Sequence, residues 1–210
     1  AKFLRSPYPF AKVKMVSTRE AEALDGVRAV VTHQEMLGTV VRWSPIDDHV
    51  RYLGEPVVGI AAETEEAALE AVRLVEVEYE PLPGVFDPFE ALAPGAIPVH
   101  PDRPNLLSEQ RLIRGDANAA IAKSKYVVKH TYRTPWTEHA FLEPETAVAL
   151  PWEGGVEIYS GDQGCMQTRK ENANMLGLPK EKVRVVTCMV GGGFGGKEDQ
   201  VVQHHAALLA

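Results

Sequence analysis

The chain has 210 residues, 45% hydrophobic and 24% charged, which describes an ordinary globular protein of one or two domains with a real core. A formal net charge of -7 argues against nucleic acid and anionic membranes as main partners. No apolar run approaches the length that spans a bilayer and no charged-then-apolar leader opens the chain. Two widely spaced cysteines, Cys165 and Cys188, predict buried thiols in a reducing, cytoplasmic setting.

Residues 3–10, punctuated by Pro7 and Pro9, read as a strand end and a turn. Residues 11–16 alternate apolar and charged, a half-buried strand. Residues 17–24 set hydroxyls before acids, predicting a short capped helix stopped by Gly26, and 27–32 read as another strand. Residues 43–50, polar and holding Pro45, read as a loop. Residues 56–62 are apolar throughout, a buried strand. Residues 64–75 open on Thr64 and two acids and place Ala68, Leu69, Val72 and Val75 on one stripe, a helix. Residues 75–80 alternate as a strand closed by Pro81, so the three together read as a βαβ-like unit. From 81 to 104 the chain is proline-rich with little periodicity. This predicts a semi-rigid linker and a domain boundary near 84–107.

A second module starts near Leu107, with 126–132 as a plausible strand. In 138–149, His139, Glu143 and Glu145 suggest metal ligands at first sight. Pro144 breaks any helix aligning His139 with Glu143, and no third nitrogen or sulfur ligand lies near, which argues against that reading. Residues 156–160 predict a strand that enters Gly161-Asp162-Gln163-Gly164, followed by a helix from about Gln167 that closes at Gly177 and Pro179. The Gln163 amide both donates and accepts, which suits a ligand carrying oxo groups or amides and equally suits a helix-capping turn. His204 and His205 fall on different helix faces and read as ordinary residues.

The most informative stretch follows residues 183–190, which read as a β-branched strand. Five of the six positions from 191 to 196 are glycine, and 198–210 read as a helix. Glycine loses more backbone entropy on folding than any other residue, so such a run implies positive φ or a ligand pressed against bare N–H groups. A helix N-terminus beyond it would add unpaired amides for something anionic or strongly polar. Gly191, Gly193 and Gly196 satisfy G-x-G-x-x-G, and residues 191–197 satisfy most of a P-loop. The P-loop match puts Glu198 where a hydroxyl is needed, and no second-strand acid follows for a dinucleotide. A phosphate- or dinucleotide-binding module is therefore the alternative reading.

The run Gly191-Gly192-Gly193-Phe194-Gly195-Gly196-Lys197-Glu198 resembles the signature of the molybdenum-containing hydroxylases, the xanthine dehydrogenase and aldehyde oxidase family. Residues 4–11, 54–57 and 77–83 resemble that family's small α/β hammerhead domain, and Leu142-Glu143-Pro144-Glu145 is similar to a segment shaping its active-site wall. The resemblance implies an α+β fold with a hammerhead domain over 1–84, a proline-rich linker over 85–107, and the first part of a mixed α/β molybdopterin-binding domain over 108–210. It implies a molybdenum–molybdopterin cofactor, with the cytosine dinucleotide form admitted, bound at Gln163, Gly192, Gly193, Phe194 and Gly195. Gln163 and Phe194 would lie near the molybdenum and no side chain would ligate it. Glu198 would face the substrate, an N-heterocycle of purine type or an aldehyde hydroxylated with oxygen from water. Where the family typically shows Ser-Thr-Gln, this chain has Gly161-Asp162-Gln163, so Asp162 is a departure. The chain opens at Ala1 without an initiator methionine, and a helical pattern still runs at Ala210. The family's base glutamate is expected beyond residue 210, so the chain is expected to be inactive alone. Its expected partners are the remaining half of the molybdopterin subunit, an iron–sulfur subunit and an FAD subunit.

Overall fold

Two three-stranded antiparallel sheets organise the hammerhead segment in a computed structural model, which describes residues 1–36 and 46–210. In the first, β5 (Pro56–Ala62) lies between β1 (Lys2–Arg5) and β3 (Val27–Val31). In the second, β2 (Ala11–Ser17) lies between β4 (His49–Val50) and β6 (Glu76–Pro81). The apolar run of β5 is buried as its composition predicts, with Val57, Val58 and Ile60 fully enclosed. Helix α1 (Arg19–Ala23) and helix α2 (Glu65–Leu74) pack against each other. The Thr64 hydroxyl accepts the Ala67 N–H at 3.1 Å, which satisfies one orphan donor of the α2 N-terminus.

Four expectations change here. The β5–α2–β6 segment is no parallel crossover, because β1 and β3 occupy both edges of β5 and β6 pairs with β2 in the other sheet. The α2 stripe is rotated: Ala68 and Ala71 are buried, their small side chains admitting the helix close to the sheet, while Leu69 is exposed. Thr18 does not cap α1; its backbone is already helical and its hydroxyl donates to Glu22 at 2.7 Å. Of the expected loop at 43–50, residues 43–45 lie outside the described residues, and His49 and Val50 pair with β2.

Residues Val85–Glu138 form a second compact unit by their contacts. Helix α3 (Pro88–Ala91) starts with Asp87 accepting from the Phe89 and Glu90 amides. The Asn105 side chain pins the proline-rich stretch by bonding the carbonyls of Ala91 and Ile97 and the amide of Val99. Helix α4 (Ala117–Lys123) is capped by Asp116. The strand expected at 126–132 does not form; no neighbouring strand among the described residues supplies a ladder, and Tyr126, Val128 and Tyr132 are exposed.

A third sheet carries β7 (Ala147–Trp152), β8 (Gly155–Ser160) and β9 (Val183–Thr187) in that order. β7 and β8 form a hairpin, whereas β8 and β9 run parallel, joined by helix α5 (Cys165–Leu176). The true βαβ unit is therefore here, and its helix closes on Gly177 at φ 64 with Leu178 N–H bonded back to Ala173 at 2.9 Å. Val156, Ile158, Ala173, Met175, Val183 and Ala207 fill its core.

Helix α6 (Gln203–Leu209) begins five residues later than expected, because the Gln203 side chain accepts the Val201 and Val202 amides and holds them out of a helical ladder. His204 and His205 point to different faces of α6, His205 buried and His204 less so, yet their rings lie 4.0 Å apart, and His205 also packs 4.5 Å from Phe3. Burial, assisted by His205, pushes His204 down to about 3, so its ring stays neutral. Cys188 is exposed rather than buried, because it follows the end of β9. Among the described residues no helix is long and apolar enough to cross a membrane.

Candidate functional site

Because β8 and β9 are parallel neighbours, the turns that leave their carboxyl ends lie side by side, which is where open α/β sheets place ligands. The Cys188 N–H to Ser160 carbonyl bond, 2.8 Å, carries this alignment one step past the sheet. The turn after β8 presents Gln163, and the turn after β9 is the glycine run.

Gln163 and the run are locked together. Gln163 Oε1 accepts the amides of Gly195 at 3.1 Å and Lys197 at 3.3 Å, and its backbone N–H donates to the Lys197 carbonyl at 2.9 Å. With two backbone donors fixing the side-chain oxygen, the Gln163 NH₂ group takes no partner among the described residues. Positive φ at Gly192 (98°) and Gly195 (91°) turns the chain, and Phe194 shares that conformation at 53°, throwing its exposed ring outward. Gly193 serves close approach instead: a Cβ there would overlap the Gln163 carboxamide, 2.7 Å from Cδ.

The amides of Gly192, Gly193 and Phe194 have no hydrogen-bond partner among the described residues. The expected helix dipole beyond the run plays no part, since residues 198–202 are bends and irregular chain rather than helix. The loop itself supplies the donors. Glu198 stands exposed at its far end with its backbone N–H on the Gly195 carbonyl at 3.2 Å.

Two residues that sequence reasoning leaves unconnected meet here. Glu143 Oε2 accepts the Gly191 amide at 2.6 Å and the Lys197 ammonium at 2.7 Å, and Lys197, only 1% exposed, also lies 4.8 Å above the Phe141 ring. A lysine closing a glycine run and an acid in Leu-Glu-Pro-Glu are both visible in the sequence; the 54 residues between them hide the pairing. Lys197 first, then the Gly191 amide, hold the Glu143 carboxyl below its ordinary 4.5. A depressed carboxyl contributes stability that is present above the ordinary value and lost as pH falls through the lowered one. A carbon-13 titration of the intact subunit should therefore place Glu143 below 4.5, and a midpoint at or above 4.5 would contradict the pairing.

Asp162, the departure from the family pattern, turns inward. It is 3% exposed and its Oδ1 accepts the Gly164 amide at 2.6 Å, so it shapes the turn that presents Gln163.

The cradle offers unpaired donors, three backbone amides and the Gln163 NH₂, with the nearby carboxylate of Glu143 matched by Lys197. That donor set fits oxo or phosphate oxygens of a cofactor held without protein metal ligands. Residues 99–210 match the family model "Molybdopterin cofactor-binding domain" and residues 1–83 match "Aldehyde oxidase and xanthine dehydrogenase, a/b hammerhead domain". The chain is 39% identical over 217 residues to a probable xanthine dehydrogenase subunit from Bacillus subtilis (strain 168), covering 100% of this chain and 29% of that protein. It is 36% identical over 213 residues to "Nicotinate dehydrogenase large molybdopterin subunit" of Eubacterium barkeri, covering 98% and 50% respectively. The aldehyde oxidoreductase structure from Desulfovibrio gigas superposes with a TM-score of 0.84 at 26% identity, covering 100% of this chain and 25% of that one. The chain thus spans half or less of the relatives it matches, and the phosphate- or dinucleotide-module alternative is not favoured. With the hammerhead and cofactor-binding models covering nearly every residue, the chain belongs to the aldehyde oxidase and xanthine dehydrogenase family of molybdenum hydroxylases.

Proposed function

We propose that this chain is part of a molybdenum hydroxylase that oxidises an N-heterocycle of purine type, or an aldehyde, with water as the oxygen source. The observation that carries the reading is the set of unpaired amide donors at the carboxyl ends of β8 and β9. When bound, the molybdenum–pterin cofactor supplies the two-electron oxidation. The chain's residues supply position. The Gly192, Gly193 and Phe194 amides, with Gly195 setting their curvature, and the Gln163 NH₂ would donate to cofactor oxygens. Preorganised donors of this kind cost no reorganisation when charge develops. Glu198, exposed at the loop's end, is assigned to the substrate, where a carboxylate can accept from a ring N–H. No side chain of this stretch is assigned as a metal ligand or as the base.

Two relatives bear the names of N-heterocycle dehydrogenases and a third that of an aldehyde oxidoreductase, which supports both substrate classes. Two are named as subunits, which supports assembly with further chains. We assign iron–sulfur and FAD centres to those chains and the whole to the cytoplasm. The division we propose is a hammerhead domain over 1–84, a connector over 85–107 and the cofactor-binding portion over 108–210. Elemental analysis of the protein from its native source, with intact masses of the co-purifying chains, tests the reading. Stoichiometric molybdenum with iron and additional subunits is expected. Metal-free protein carrying bound nucleotide would overturn it.

A further inference from the structure

We propose that Glu143 and Lys197 form a positioning pair that sets the curvature of the cofactor cradle, an inference that rests on the reading above. A single carboxylate oxygen, Glu143 Oε2, receives the Gly191 amide at 2.6 Å and the Lys197 ammonium at 2.7 Å. These donors stand at opposite ends of the glycine run, so one atom ties both ends of the loop. Gln163 Oε1 adds a second pin on the Lys197 side through the amides of Gly195 and Lys197. Between the pins, Gly192, Gly193 and Phe194 have no backbone N–H bond among the described residues; the Gly196 N–H on the Gly193 carbonyl at 2.8 Å orients the Phe194 amide, and no local bond orients those of Gly192 and Gly193. The free donors are placed by what holds the ends.

The pair has a second consequence. The Lys197 side chain is fully enclosed beneath the loop, and an ammonium buried there without a partner would be expensive enough to drag the loop open. Paired with Glu143, it adds no net charge of its own to the cradle. Neither residue is assigned to touch the cofactor or the substrate, so both act through the backbone they hold.

The test uses the assembled enzyme with Glu143→Gln, Lys197→Met and the double variant. Three quantities are measured: molybdenum content, kcat and KM per molybdenum, and the Mo(V) paramagnetic resonance of partly reduced enzyme. Each single variant is expected to lower kcat per molybdenum by about tenfold or more while KM moves by less than about threefold, the pattern of a misplaced reacting centre. Each is also expected to shift the Mo(V) resonance, which a purely structural role would leave alone. The double variant should be no worse than the poorer single, because removing either partner already breaks the pair. Additive losses, or a folded single variant whose kcat and resonance match the parent, would overturn the proposal. Should Lys197→Met fail to accumulate, Glu143→Gln carries the test, since it keeps the volume and an acceptor for Gly191. A parent enzyme without molybdenum would sink the cofactor reading itself, whereas a molybdenum-bearing parent with indifferent variants sinks only the pair.

Discussion

Gly193→Ala is expected to cut turnover per molybdenum by about a hundredfold in the assembled enzyme, the scale set by displacing a catalytic geometry by roughly an ångström. The added Cβ would overlap the Gln163 carboxamide, 2.7 Å from Cδ and 3.2 Å from Cγ. A glutamine end is ordinarily flexible and would swing aside. Here Oε1 holds the amides of Gly195 and Lys197, so moving it releases two backbone donors and turns the NH₂ group away from the cradle. The stability lost should be modest, about 1 kcal/mol for each released hydrogen bond, because the site is open to water that can replace them. The two effects separate by a second substitution. Adding Gln163→Ala to Gly193→Ala removes the overlap and should recover part of the thermal stability, while turnover stays low because the donor is gone. Turnover of Gly193→Ala within threefold of the parent would show that the Gln163 side chain does not fix this cradle.

The sequence made the strands of the hammerhead legible because β5 is apolar throughout while β2 and β6 alternate; burial follows those patterns in β5 and β6, and in β2 as far as Val13, beyond which a register shift leaves Met15 exposed. It did not reveal which strands pair. The β5–α2–β6 segment has the outward form of a crossover, yet only the occupancy of both β5 edges decides that β6 goes elsewhere, and edge occupancy is a tertiary fact. The segment 126–132 shows the complementary failure, where strand-like composition finds no ladder. At the site, Gln163 and the glycine run were visible because their residue types are costly or chemically specific. The Glu143–Lys197 pair was not, because an acid and a base 54 positions apart carry no periodic signal. The late start of α6 was hidden too: apolar spacing at Val201 and Val202 mimics a helix whose amides Gln203 has already taken.

Gly155→Ala should be the most damaging single methyl that can be added to the third sheet. Gly155 opens β8 opposite Trp152 after the Glu153–Gly154 turn, and on its other side the chain entering β9 passes very close. An added Cβ would overlap the Lys182 carbonyl oxygen and lie 2.7 Å from its carbon. Unlike a side-chain tip, that carbonyl cannot rotate out of the way. Lys182 ends a tight 3-10 turn with its amide on the Pro179 carbonyl at 2.9 Å, and Arg169 clamps the carbonyls of Lys180 and Val183 on either side. The relief available is to part β8 from β9 at Val156 and Val183, both of which are buried in the core. Overpacking that forces backbone apart in this way should cost about 3 kcal/mol or more. Gly177→Ala provides the comparison: it also strains a glycine, at φ 64, but meets open space, so its cost should be roughly 1–2 kcal/mol. Thermal unfolding of the two variants beside the parent decides the matter, and a Gly155→Ala midpoint no lower than that of Gly177→Ala would refute the backbone clash. The same parting of β8 from β9 would separate the two turns that bring Gln163 to the glycine run, so a soluble Gly155→Ala protein should also hold less molybdenum than Gly177→Ala.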